Sequence, residues 1–267
     1  LRRQIRLALI RRGAKFVQIP GANADVTAGA GLIRHTCDDG RQTEVTQMSR
    51  PDLFTAIHKA IRAMVYDAGG RLQTADFADD RAARRTTADL IPVLSLLREH
   101  HHTEDEIVFP QVRPFDGALI DGLEAQHRTI ETLLAITGDA VSATETAEPA
   151  SRPEAGAELN KRFNELVAFY LEHLAHEELT IVPVMWEHFT DQELAAIQGS
   201  IMASAKPQLA LDWLGWMFKG LNRDELVRML AGAKASLPAP ALEGIKDLGA
   251  ANLEPERWAL IREQAGL

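Results

Sequence analysis

The stretch Leu171-Glu-His-Leu-Ala-His-Glu-Glu-Leu-Thr-Ile-Val-Pro183 sets His173 and Glu177 four residues apart in a run that otherwise reads as the inner face of a helix. Four residues is about one turn, roughly 6 Å of rise, so both side chains project from one face. That face continues in both directions as Leu159, Phe163, Leu166, Tyr170, His173, Glu177, Ile181 and Val184, a core stripe with two polar members. An imidazole and a carboxylate buried without partners cost stability. A metal ion satisfies both at once, because imidazole nitrogen and carboxylate oxygen are its ligands.

The same device occurs in Arg98-Glu-His-His-His-Thr-Glu-Asp-Glu-Ile-Val-Phe-Pro110. Three pairs have the required spacing: His100/Glu104, His101/Asp105 and His102/Glu106. Phase selects the first. Leu90, Val93, Leu97, His100, Glu104 and Ile107 form one inward series, whereas His102 and Glu106 align with Ser95 and Glu99 on a polar face. His100 precedes Pro110 by ten residues, as His173 precedes Pro183. His101 lies at the border of the stripe and is a candidate for supporting a ligand from behind.

Two further stripes each carry a histidine. A first helix opens near Ser49-Arg-Pro-Asp, with Ser49 as N-cap and Pro51 in its first turn, and Gly69-Gly70 ends it. Its inner face is Phe54, His58, Ile61 and Val65. A second helix runs from about Asp79 to Phe109, with a kink or break expected at Pro92. A third, from about Asp116 to Val141, turns Ile120, Leu123, His127, Ile130, Glu131 and Leu134 inward. Residues 142–157 read as a loop, and Ser151-Arg-Pro-Glu154 as a capping box for a fourth helix reaching about His188. Four long helices thus each place a histidine on the core stripe, and three add a carboxylate one turn later. The expected fold is all-α, an up-down four-helix bundle whose centre collects these residues.

The order His-x-x-x-Glu differs from the Glu-x-x-His of ferritin-like sites and resembles the hemerythrin-like (HHE cation-binding) family. The motif residues are His58, His100-x-x-x-Glu104, His127 and His173-x-x-x-Glu177, with Pro110 and Pro183 at matching offsets, over roughly residues 50–190. The resemblance implies a non-haem centre of two iron ions, with Glu104 and Glu177 bridging and the four histidines as terminal ligands. The chain departs from oxygen-carrying hemerythrins in having Glu131 where a second histidine follows on the third helix. It also has His173-x-x-x-Glu177 in place of His-x-x-x-x-Asp. With Glu131 counted, the metal set is His58, His100, Glu104, His127, Glu131, His173 and Glu177; the other reading of Glu131 is a hydrogen bond to a ligand histidine from behind. A set so rich in carboxylate favours ferric iron over simple oxygen carriage.

Composition agrees with an ordinary globular chain: 267 residues, 46% hydrophobic and 25% charged, with a formal net charge of −9. The negative charge argues against nonspecific nucleic-acid binding, and no apolar run is long enough to span a membrane. The single cysteine, Cys37, excludes an internal disulfide framework and suits the cytoplasm. The chain divides into a basic extension over 1–47, the bundle over 48–190 and helical pieces over 191–267. The extension is Arg-rich, small and polar and lacks an h-region and a cleavage site, so it reads as a poorly ordered extension and not as a targeting peptide. In the last segment, capping boxes begin at Thr190 and Asn222, and the stripe through Trp213 and Trp216 is expected to pack on its own domain, with a partner surface as the other reading.

These readings lead to a protein that binds or reduces oxygen, peroxide or nitric oxide at a di-iron site, an oxidoreductase if it turns its ligand over. The alternative is an iron- or oxygen-sensing module that acts on a protein partner through the C-terminal helices. P-loops, dinucleotide fingerprints and nucleophile elbows are absent from the sequence.

Overall fold

Each stripe becomes one wall of a bundle. The structure, a computed structural model, describes residues 50–267. The bundle is made by α1 (Thr55–Gln73), α2 (Asp80–Thr103), α4 (Gly117–Thr146) and α5 (Arg152–His188). A π-helical turn, Glu104–Val108, and a short helix, α3 (Phe109–Val112), continue α2. Neighbours in the bundle follow chain order and close on themselves: α1 packs on α2, α2 on α4, α4 on α5 and α5 on α1. Five shorter helices follow: α6 (Asp191–Ser204), α7 (Pro207–Gly220), α8 (Arg223–Ser236), α9 (Ala239–Asn252) and α10 (Pro255–Ala265). The described residues contain no strand, and no helix among them is long and apolar enough to cross a membrane.

The apolar interior of the bundle falls into two clusters. One is built from residues such as Ile61, Met64, Leu97, Ile130, Leu134, Phe163 and Tyr170. The other contains Phe54, Val108, Phe109, Ile120, Leu123, Ile181 and Met185. On every helix the core histidine stands between a residue of the second cluster and one of the first. His58 lies between Phe54 and Ile61, His127 between Leu123 and Ile130, and His173 between Tyr170 and Ile181. The bundle therefore has a polar layer sandwiched between two apolar halves, which exclude water from both sides.

Boundaries differ from the sequence reading where burial outweighs local signals. The expected extension over 1–47 and the N-cap at Ser49 lie outside the described residues. The first helix begins at Thr55, where Asp52 Oδ1 accepts hydrogen bonds from the Phe54 and Thr55 amides at 2.9 and 3.0 Å. It runs through Gly69 and Gly70, because Ala68 before them and Leu72 beyond them are buried. A glycine costs a helix about 1 kcal/mol, less than the burial of a leucine returns. Helix α2 is continuous through Pro92, whose missing amide lies on the exposed side. Helix α4 continues past Val141 to Thr146, since Val141 and Thr144 keep the buried stripe going. The expected loop over 142–157 shrinks accordingly, and Ser151 makes no capping bond. The capping boxes at Thr190 and Asn222 form as the sequence indicates.

The C-terminal helices are packed onto the bundle. Ser49–Leu267 is one compact unit. Helix α7 lies along α1, and Leu209, Trp213 and Trp216 rest against the first apolar cluster. Lys59 Nζ meets Glu225 Oε1 of α8 at 2.5 Å. A separate core around Phe218, Leu226, Leu230, Trp258 and Ile261 holds the last helices together.

Candidate metal centre

Six of the seven expected donors meet in the polar layer. His58, His100, Glu104, His127, His173 and Glu177 are buried, none more than 7% exposed. They form two overlapping groups. His58 and His100 join Glu104 and Glu177 in one, and His127 and His173 join the same two carboxylates in the other. His100 Nε2 lies 3.2 Å from Glu104 Oε1, and His58 Nε2 lies 3.4 Å from Glu177 Oε2. Across the site, His173 Nε2 is 3.4 Å from Glu177 Oε1 and His127 Nε2 is 3.6 Å from Glu104 Oε2. The two carboxylates thus stand between two pairs of imidazoles.

A cation fits this layer, and the protein's own hydrogen bonds do not complete it. His58 Nε2, His100 Nε2, Glu104 Oε2 and both carboxylate oxygens of Glu177 are buried without any hydrogen-bond partner. Such atoms are rare, and each costs about 1–3 kcal/mol when left unpaired. Five in one buried layer are accounted for by positively charged ligands. The donor set of nitrogens and carboxylate oxygens, with no thiolate, suits a divalent metal of the first transition row.

The ring orientations agree. His58 Nδ1 donates to Glu178 Oε1 at 3.0 Å, and Arg62 Nη1 holds that same oxygen at 2.8 Å. His127 Nδ1 donates to Asp105 Oδ1 at 2.7 Å. His173 Nδ1 donates to Gln126 Oε1 at 2.9 Å, and Gln126 Nε2 donates to His176 Nδ1 at 2.8 Å. In a neutral ring so held the outward nitrogen carries the proton and the inward Nε2 presents a lone pair, as a ligating histidine does; the Nε2 atoms of His127 and His173 face each other at 3.0 Å. His100 is oriented by rings, with Tyr170 and Trp213 centroids 6.4 and 6.2 Å away. Tyr170 sends its hydroxyl to Leu97 O at 2.8 Å and away from the donors.

Without a metal the layer shifts its own protons. Burial drives His100 and His173 down to about 3, so both are neutral near pH 7. Burial, reinforced by the neighbouring Glu104, pushes the Glu177 carboxyl well above its usual range. Burial acts in the same direction on Glu104, but His100 and His58 outweigh it and hold this carboxyl low. Two adjacent buried carboxylates cannot both ionise without a cation. For His58, burial is opposed and outweighed by Glu104 and Glu178, and the ring is raised.

The seventh expected donor, Glu131, is placed elsewhere. It is partly exposed, accepts from Arg98 Nε at 3.1 Å, and faces His101 Nε2 at 2.8 Å. It belongs with His101 and His102 and not with the central six. One helical turn after His127 points to the border of the bundle, because Ile130 and Leu134 take the interior positions. His101 packs its ring against His127, with centroids 5.1 Å apart, and makes no hydrogen bond to a central donor.

Sequence reasoning gave no role to the outer partners Asp105 and Glu178. A signal for them exists: both motifs end in an acidic doublet, Glu104-Asp105 and Glu177-Glu178. The first carboxylate of each doublet turns inward. The second reaches back to the histidine of another helix, His127 from Asp105 and His58 from Glu178.

A family model, the hemerythrin HHE cation binding domain, matches residues 50–185 and so spans the whole layer. No curated protein and no solved structure matches the chain.

Proposed function

The chain belongs to the hemerythrin HHE cation-binding family, and from that premise we propose that it holds two non-haem iron ions in the His/Glu layer and there binds or reduces oxygen, peroxide or nitric oxide. The observation that carries this reading is the pair of donor groups sharing Glu104 and Glu177. Two carboxylates common to two sets of imidazoles suit two bridged ions better than one. Iron in this position supplies the change of oxidation state that reduction of such a molecule requires. The four imidazoles fix its position, and Asp105 and Glu178 behind two of them raise ring basicity and favour the higher oxidation state. Because Glu131 stands apart, this preference comes from the outer carboxylates and not from an added central anion.

The chain also controls what reaches the layer. The apolar halves and the ring of Trp213 keep bulk water and large molecules out, which leaves small uncharged or weakly polar ligands. His176, half-buried, is hydrogen-bonded through Gln126 to His173, and this chain holds the His173 ring with its Nε2 turned to the layer. Elemental analysis of reconstituted protein should give about two Fe per chain. Reduced protein mixed rapidly with oxygen or peroxide should change its near-ultraviolet absorption and consume the reagent. One tightly held zinc, with no iron absorption and no consumption, overturns the reading.

One observation favours a sensing role beside this one. Trp213, on a helix outside the bundle, sits against His100, and Lys59, next to His58, pairs with Glu225 of α8. Metal loading that orders the donors would then be felt by α7 and α8, where a protein partner could read it. Hydrogen exchange in α6–α10 that is unchanged by metal loading speaks against this second role.

A further inference from the structure

The residue set aside by the central layer has its own company. Glu131 on α4 faces the consecutive histidines His101 and His102 on α2. Its Oε1 lies 2.8 Å from His101 Nε2 and 3.2 Å from His102 Nε2. The ligand atoms of the three residues all fall within 4.8 Å of one another. Consecutive residues on a helix point about 100° apart. Here the two rings nevertheless converge on one oxygen, with centroids 4.8 Å apart and planes at 83°.

The ring of His101 is held from behind. Its Nδ1 lies 3.0 Å from the carbonyl oxygen of Leu97, which can only accept, so Nδ1 carries a hydrogen. The ring so fixed turns Nε2 towards Glu131 Oε1, on the same side as His102 Nε2. Arg98 is the other group on this carboxylate, with Nε at 3.1 Å from Oε2 and 3.3 Å from Oε1. It contacts the carboxylate and makes no hydrogen bond to either imidazole.

We infer that His101, His102 and Glu131 form a second, solvent-facing site for a divalent transition-metal cation of the zinc type, separate from the buried layer. Two imidazoles and one carboxylate, with the outer side open to water, are the donor set of an open zinc site. His101 is fully buried and fixed by Leu97, so one of the three donors is preorganised. His102 and Glu131 are partly exposed and supply the entry side.

The test uses the full chain with iron already in the central layer. Zinc chloride is titrated in, followed by calorimetry and by the imidazole nitrogen signals in NMR. One additional zinc per chain is expected, with shifts at both His101 and His102. His102→Ala should lose that zinc while retaining the iron. Arg98→Gln should bind zinc more tightly, because it frees the carboxylate from a competing cation. Equal zinc uptake by the wild type and His102→Ala overturns the inference. So do unmoved His101 and His102 signals, which would mean that a proton alone links His101 to Glu131. Failure of the central iron reading is told apart by His173→Ala, which removes a central donor and leaves the surface zinc in place.

Discussion

His100, His101 and His102 are consecutive and chemically identical, yet each has a different surrounding. His100 is buried against Glu104, His101 is buried against Glu131, and His102 has a side chain 52% exposed. The difference is rotation about one helix axis, about 100° per residue. The prediction at this scale is a contrast between neighbours. His100→Ala removes a donor from the central layer and should lose central iron. His102→Ala and Glu131→Gln should keep it, since neither residue belongs to the central groups. Iron content after reconstitution, measured on folded protein with unchanged circular dichroism, checks all three. Equal iron loss in His100→Ala and His102→Ala would mean that the helix is rotated relative to the arrangement described. Helical periodicity, with its recurrence on four helices, made the six buried residues of the layer legible. Glu131 was misassigned to the interior because a single stripe is wide enough to admit Ile130 and Glu131 together, and only packing against α2 decides which one turns in.

At the scale of the element, propensity and burial compete, and the helices show which wins. The sequence series ending in Ile107 assumes an unbroken α-helix. The π turn over Glu104–Val108 adds a residue and brings Val108 and Phe109 inward, leaving Ile107 partly exposed. The same turn lets Glu104 face the layer while Asp105 reaches His127. Such turns are frequent at functional sites, and no residue type announces them. Helix ends that depend on caps were legible at Thr190 and Asn222, whereas ends that depend on tertiary contact were not. Two glycines separate these effects. Gly70 of α1 is exposed, and a methyl there would meet nothing within 4 Å. Gly70→Ala should raise stability by about 0.5–1 kcal/mol. Gly220, at the end of α7, has no such room: a Cβ would lie 2.7 Å from the carbonyl carbon of Lys59 on α1. Gly220→Ala should lower stability by about 1–3 kcal/mol, because backbone must move. Chemical denaturation of the two variants should give shifts of opposite sign. A neutral Gly220→Ala would show that α7 is not seated against α1.

For the whole molecule, stability and metal binding are linked through the protons of the buried layer. In the metal-free protein, burial holds His100 and His173 at about 3, below their ordinary 6.5. The unfolded chain therefore takes up protons first as pH falls, and stability is lost from about pH 6.5 downward. Each ring contributes a slope of about 1.4 kcal/mol per pH unit inside that window. Glu177 is raised, so its sign is opposite. Its contribution is fully present below its ordinary value of 4.5 and is lost as pH rises towards the folded value. His58, also raised, adds to the loss above 6.5. Between 4.5 and 6.5 two rings oppose one carboxyl, and stability still rises with pH. Above 6.5 the rings have no further effect, and Glu177 and His58 draw stability down. The metal-free protein should therefore melt highest near about pH 6.5. A bound cation requires Glu177 ionised and His58 neutral at Nε2, so binding releases protons and strengthens as pH rises. The metal-loaded protein should lose the alkaline decline and keep the acid one. Melting temperatures from pH 5 to 9, with and without metal, test this directly. A metal-free protein as stable at pH 9 as at pH 6.5 would show that Glu177 carries no proton, and that the two central carboxylates coexist as anions without a cation between them.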